Sequence, residues 1–454
     1  MAEIRARQAL LPQGWASDVT VTIGADGRIA AVTEGAPAPP GAQAVDTLLP
    51  APANLHSHAF QRAMAGLTEA RGPDPRDSFW TWRQLMFRFL DRLTPDDVEA
   101  IAAFVQMQML EAGFATNVEF HYLHHRPGGG PYDDPAEMSA RIAAAAAATG
   151  IGLTLLPVLY RFGGCDGRAL GPGQVRFGTT PDSFARLHQG AARALRALPA
   201  DAVLGAAPHS LRAVAPDDLP RLAALTGGPL HMHLAEQQAE VDEVLAAHGA
   251  RPVRWLLDTA PPDARWCLIH CTRMTAEETL GLAATGAVAG LCPITEANLG
   301  DGIFDGVRWH GADGRWGIGS DSNLRISLAE ELRQLDHSQR LRDHSRAALA
   351  TPGRSTGRML WDGAARGGAQ AAGRPSGAIA PGLWADLVAL DRDEADLDGT
   401  MGDTTLDAWI FASPGRVADL WAAGRHVVQA GRHRGHDAIT DRYRATLRRL
   451  REAA

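Results

Sequence analysis

Four short clusters in this chain of 454 residues carry the side chains from which a hydrolytic metal centre is built: His56-x-His58, His233-x-x-Glu236, His270 and Asp321. Three neutral imidazoles and one carboxylate suit one zinc-class divalent ion with an open position for water, and a further His and Glu remain to move protons. Each cluster alone is weak, because the chain has 17 histidines and a lone His-x-His pair is a short motif with the usual false-positive risk. Position along the fold has to decide between a site and an accident.

Composition removes several competing chemistries. The chain has no lysine, so all 44 basic residues are arginine. Schiff-base chemistry, a P-loop lysine and a carbamylated lysine bridging two metals are excluded, which favours a single metal. A net charge of -8 argues against nonspecific nucleic-acid binding. The start, MAEIRARQALLPQGW, lacks the apolar core of a signal peptide, and no later run of about 18 apolar residues suggests a membrane span. The expectation is a cytoplasmic protein without membrane or nucleic-acid partners. Cys165, Cys267, Cys271 and Cys292 form no C-x-x-C pair and read as reduced core residues.

The elements that must position these side chains follow from periodicity. Eight apolar strand candidates alternate with helical stretches: 48–58, 116–125, 151–160, 202–210, 229–236, 266–272, 287–293 and 315–322. PDDVEAIAAFVQMQMLEAG, AEMSARIAAAAAATG and DSFARLHQGAARALRAL read as intervening helices. The fold class is therefore α/β: a TIM-type (β/α)8 barrel over 48–370. Short strands punctuated by Gly and Asp in 1–47 and again in 371–435 predict a small β-sandwich domain built from both chain ends. Residues 436–454 read as an Arg-rich amphipathic helix that packs on the protein. In this frame His56 and His58 end strand 1, His233 ends strand 5, His270 strand 6 and Asp321 strand 8. That is the barrel face where active sites are built.

At this point NLHSH, HMHLAE, the Cys-Leu-Ile-His segment and GSDSN resemble the amidohydrolase superfamily over nearly the full chain. The longer stretches NLHSHAFQRAMAGLTE, EFHYLHH, APHSLRAV and HLAEQ are similar to a branch of it that converts N-formimino-L-glutamate to N-formyl-L-glutamate and ammonia. The resemblance implies a metal-dependent C–N hydrolase with His56, His58, His233 and Asp321 as metal ligands. His231 shares a strand face with His233 and competes with it, but lies deeper. Water activated at the ion attacks the formimino carbon, with Glu236 as general acid/base and His270 orienting the water or stabilising charge; Asp321 also accepts a proton. The plainer alternatives are a helix cap for Asp321, a core histidine for His270 and a surface glutamate opening a helix for Glu236.

Two substrate carboxylates require donors, and the planar guanidinium fork suits them. Arg212 is the first candidate and Arg83 a second. Gln61 and Tyr122 add hydrogen bonds, and His209 occupies the strand 4 rim, where two-metal relatives place a lysine. All five have an alternative as ordinary loop or core hydrogen-bonding groups. One departure from the family pattern is Ala51, where Gly commonly follows Leu-Pro; it concerns turn geometry. The segment around 71–97 is open between a helix packed on the barrel, a dimer contact and a lid, and a homodimer is expected from the resemblance. The competing functions are an aminohydrolase of a purine, pyrimidine or related heterocycle, a noncatalytic barrel scaffold, and a non-haem iron oxygenase.

Overall fold

The computed structural model describes residues 2–69, 82, 86–87, 89–391 and 393–452. The first four strands, β1 (Ala2–Leu11), β2 (Gly14–Ile23), β3 (Ile29–Glu34) and β4 (Gln43–Pro50), come from the N-terminal end. Nine short strands follow: β5 (Ala53–Ser57), β6 (Thr116–His121), β7 (Gly152–Leu159), β8 (Val203–Leu204), β9 (Ala207–Pro208), β10 (Leu230–Leu234), β11 (Trp266–His270), β12 (Val288–Leu291) and β13 (Arg315–Ile318). The last four are β14 (Leu387–Leu390), β15 (Val417–Ala422), β16 (Arg425–Gln429) and β17 (Arg432–His433).

Both chain ends meet in one eight-stranded sheet of order β17-β16-β15-β14-β4-β1-β2-β3. Its alternating apolar residues serve two cores. Ile4, Val19, Val21, Leu48, Leu387 and Trp421 join one cluster confined to this unit. Leu10, Leu49, Val388, Leu390 and Leu420 face the other way and join the main core. This is the alternation of a sheet covered on both sides.

The middle of the chain is α/β with parallel strands. β5, β6, β7 and β8 pair in order, with β9 on β7, and β10 to β13 form a second parallel sheet. Single parallel bridges, Ser57 with Asp321 and Ala206 with Leu230, join the margins of the two sheets. β5, β6, β7 and β10 to β12 are buried along their whole length, which is why they read as continuous apolar runs. The intervening helices start where their caps dictate. Thr94 with Asp97, Thr180 with Ser183 and Thr275 with Glu278 form capping boxes, opening helices Pro95–Glu111, Pro181–Leu195 and Ala276–Ala283.

Two strands depart from the sequence expectation. The stretch 48–58 is divided: Leu48 to Pro50 belong to β4 of the terminal sheet, and the parallel strand begins at Ala53. Pro50 and Pro52 supply the break, since neither has an N–H for a continuous ladder. Ala51 needs no glycine there, as its φ is not positive and its N–H donates to the Asp386 carbonyl at 3.0 Å. The stretch 202–210 is two two-residue pieces either side of Gly205. A Cβ on Gly205 would lie 2.3 Å from the Pro229 carbonyl oxygen, so a bare backbone lets this segment approach the next strand.

Among the described residues, no helix is long and apolar enough to cross a membrane. Helix His436–Glu452 packs on helix Pro95–Glu111, with Tyr443 stacked on Phe104 at 3.9 Å between centroids.

Candidate active site and metal centre

The first and last strands of the parallel region are clamped together at the level of the motif residues. His58 N–H donates to the Asp321 carbonyl and Asp321 N–H to the His56 carbonyl, each at 2.9 Å. Beneath this pair, Asn54 Nδ2 donates to Ser320 Oγ at 2.6 Å and Asn54 Oδ1 accepts the Ser320 N–H at 3.1 Å. Asn323 Nδ2 reaches Ser57 Oγ and the Asp321 carbonyl. Close approach depends on Gly319, where a Cβ would lie 2.7–2.8 Å from His56 backbone and Cβ atoms. The pairing register of β5 with β6 also shifts between Asn54 and Ser57, so simple alternation does not by itself aim His56 and His58.

Imidazoles and carboxylate converge above that clamp. Nε2 of His56 and of His58 lie 3.5 and 3.4 Å from Asp321 Oδ1, and Nε2 of His233 lies 3.2 Å from Nε2 of His56. His58 Nδ1 hydrogen-bonds the Phe120 carbonyl at 2.9 Å and His233 Nδ1 the His209 carbonyl at 3.0 Å. Those nitrogens therefore carry the hydrogens, and each Nε2 presents a lone pair to the shared centre. Burial, aided by neighbouring His58, pushes His56 down to about 3, and burial also lowers His58 and His233. Neutral imidazoles whose lone pairs converge are what a cation requires, so the donor set fits one divalent ion. His231 is turned elsewhere, with Nε2 on the Ala371 carbonyl at 2.8 Å.

His270 has the opposite electrostatics. Burial alone would lower it, but Glu236, Glu296 and Asp321 outweigh that and raise it to about 10. Its Nε2 lies 3.7 Å from Glu236 Oε1 and 3.8 Å from Asp321 Oδ2. Burial would raise the Asp321 carboxyl too, yet the hydrogen bond and charges of the histidines hold it below its ordinary value. Glu236 is raised by burial against the opposing pull of His270 and Arg212. It is 4% exposed, which disposes of a surface role, and Glu240 accepts its N–H at 2.9 Å while Thr272 hydroxyl donates to its carbonyl at 2.6 Å. Left-handed backbone at Ala235 (φ 52°), His270 (φ 74°) and Asp321 (φ 45°) puts local strain at three of these strand ends.

A pocket opens over the cluster. Gln61, Tyr122, His209 and Arg212 all line it. Gln61 Nε2 donates to Tyr122 Oη at 2.9 Å, the His209 ring lies against Tyr160 at 4.5 Å, and Arg212 is 3.5 Å from Glu236 Oε2. Arg83 lies outside the described residues, as do 71–81; Trp82 and Met86 line the pocket. Sequence reasoning missed Tyr160, Phe177 and Thr295 in the wall, and Glu296 behind His270. Glu296 stands in CPITEANLG immediately after the seventh strand, and its place at a strand end was the available signal.

Residues 47–427 match the model of the amidohydrolase family. The chain belongs to that family. The family is metal-dependent, in keeping with the convergent His and Asp groups of this amidohydrolase. Residues 1–44 match the N-terminal domain of formimidoylglutamate deiminase HutF. The amidohydrolase is 47% identical to formimidoylglutamate deiminase of Pseudomonas aeruginosa, over 96% of this chain and 97% of that one. It is 29% identical to 8-oxoguanine deaminase of the same organism, over 94% and 93%. A crystal structure of an amidohydrolase from Brucella melitensis superposes with a TM-score of 0.95 at 48% identity, covering 99% of this chain and 100% of that one.

Proposed function

We propose that this amidohydrolase hydrolyses N-formimino-L-glutamate to N-formyl-L-glutamate and ammonia, a step of histidine degradation. The observation that carries the reading is the 47% identity to a formimidoylglutamate deiminase along almost the whole of both chains. The N-terminal match supports it independently of the metal motifs, because residues 1–44 contain none of them. For the fold, our reading is that the two parallel sheets form one closed (β/α)8 barrel that begins at Ala53 and runs to about residue 370. Its margins are the Ser57–Asp321 and Ala206–Leu230 bridges. The terminal strands form a small β-sandwich domain beside it.

His56, His58, His233 and Asp321 would hold one divalent ion, and their three nitrogens and one oxygen favour zinc. Such an ion, when bound, polarises the substrate and makes water nucleophilic near neutral pH. The chain's own groups do the rest. The Asp321 carboxylate, kept ionised by the histidines around it, takes the proton that the attacking water gives up. Glu236, its pKa raised by burial, protonates the terminal imino nitrogen. The proton held by Asp321 then passes to the same nitrogen, and as the C–N bond breaks ammonia leaves, the formyl C=O forms and Glu236 takes up the hydroxyl proton. The His270 imidazolium, facing Glu236 and Asp321, stabilises the charge building on oxygen. Arg212 holds a substrate carboxylate at the pocket wall, with Gln61, Tyr122 and His209 beside it; Arg83 is the candidate donor for the second carboxylate.

The test is ammonia release by zinc-loaded protein from N-formimino-L-glutamate, with guanine, cytosine and adenosine in parallel and metal-stripped protein as control. Metal-dependent release from formiminoglutamate alone is expected. Release only from a base would overturn the dicarboxylate reading and favour the heterocycle deaminases, of which the 8-oxoguanine enzyme is a relative.

A further inference from the structure

We infer that Glu296 is a positioning residue for His270, fixing which edge of the imidazole faces the reaction centre. The inference rests on the role given to His270 above. The Nε2 side of that ring is held loosely: Glu236 and Asp321 lie 3.7 and 3.8 Å away, beyond hydrogen-bond length. On the other side, Nδ1 lies 3.3 Å from Glu296 Oε1, its hydrogen-bonding partner among the described residues. A half-turn of the ring about its Cβ–Cγ bond would replace Nδ1 by carbon at Glu296 and turn Nε2 away from the centre. The Glu296 contact therefore selects one of two ring orientations that fill the same space, on a residue whose backbone is already in the left-handed region.

Glu296 is itself fixed before it meets the histidine. It is 5% exposed, in the short helix Pro293–Leu299 that follows β12. Its Oε1 accepts the Cys292 N–H at 2.8 Å, its own N–H donates to the Cys292 carbonyl at 2.9 Å, and its carbonyl accepts the Asp301 N–H at 2.9 Å. A rigid carboxylate delivered from a third strand end can orient a ring; a mobile one cannot. The competing explanation is that Glu296 only closes the first turn of this helix by satisfying Cys292.

Glu296→Gln and Glu296→Met separate the two. Glutamine keeps an acceptor oxygen for both Cys292 and His270 but loses the charge, whereas methionine keeps the volume and loses both contacts. In zinc-loaded protein acting on N-formimino-L-glutamate, kcat should fall about 10-fold in Glu296→Gln and about 100-fold in Glu296→Met, with KM within about twofold and zinc content unchanged. A low-field imidazole N–H proton resonance, assigned to His270 by its loss in His270→Asn, should persist in Glu296→Gln and vanish in Glu296→Met. Wild-type kcat in folded, zinc-replete Glu296→Met overturns the proposal. Should that variant fail to fold or to hold zinc, wild-type kcat together with an unshifted resonance in Glu296→Gln overturns it equally. Retention of kcat in His270→Asn would instead overturn the role of His270 itself, and the proposal with it.

Discussion

At the scale of single residues, the site sorts five buried titratable groups by what surrounds them. His56, His58 and His233 are neutral because burial dominates; His270 is cationic because three carboxylates outweigh the same burial. Glu236 lies between His270 and Arg212 without entering the cluster of imidazole nitrogens. Glu236→Gln should therefore keep fold and metal content while kcat falls by roughly 10² to 10⁴. Parallel metal analysis and turnover would check this, and equal loss of metal would count against a proton-transfer role. Arg212→Met removes the proposed carboxylate donor and also the cation facing Glu236. We expect kcat/KM for formiminoglutamate to drop by about 30-fold or more, a cost of about 2 kcal/mol, with most of it in KM. Unchanged kinetics would take Arg212 out of the pocket.

At the scale of elements, the decisive contact is between β5 and the segment after β13, more than 260 residues apart along the chain. Two backbone hydrogen bonds and the Asn54, Ser320 and Asn323 network make the His56, His58 and Asp321 triangle a property of strand pairing. Gly319→Ala tests this. Its methyl group would meet backbone atoms of His56, which cannot swing aside as a flexible side chain can. The expected result is a loss of about 1–3 kcal/mol in unfolding free energy together with weakened zinc retention, read by chemical denaturation and metal titration. Stable protein with normal zinc affinity would show that the clamp is not needed.

At the scale of the whole molecule, a buried ionic junction ties the parallel region to the terminal sheet. Asp201, before β8, receives Arg374 at 3.2 Å and Arg425 at 2.8 Å, and Arg374 also reaches Asp386 at 3.1 Å beside β14. Burial would raise the Asp201 carboxyl, but the two arginines outweigh it and lower it from 3.8. Because the folded value is the lower one, this stabilisation is complete above pH 3.8 and is lost as pH falls through the folded value. Asp201→Asn leaves two arginines underpaired, so unfolding should cost about 3 kcal/mol less at neutral pH, and the acid limb of stability below about pH 4 should flatten. Urea unfolding across that range checks both signs; an unchanged acid limb would remove Asp201 as its source.

The sequence by itself determined the residue types that can bind a cation and move protons, their order along the strand ends, and the joining of the two chain ends in one β unit. Those features are local or periodic, so a reading of spacing and alternation reaches them. Only the tertiary structure decided that Glu296 stands behind His270, that Tyr160 and Phe177 wall the pocket, and that His231 points to Ala371. It also decided that 202–210 breaks into two pieces at a glycine pressed against the next strand. These depend on which backbones approach within a few ångströms across the parallel region, and long-range proximity of that kind leaves no periodic trace along the chain.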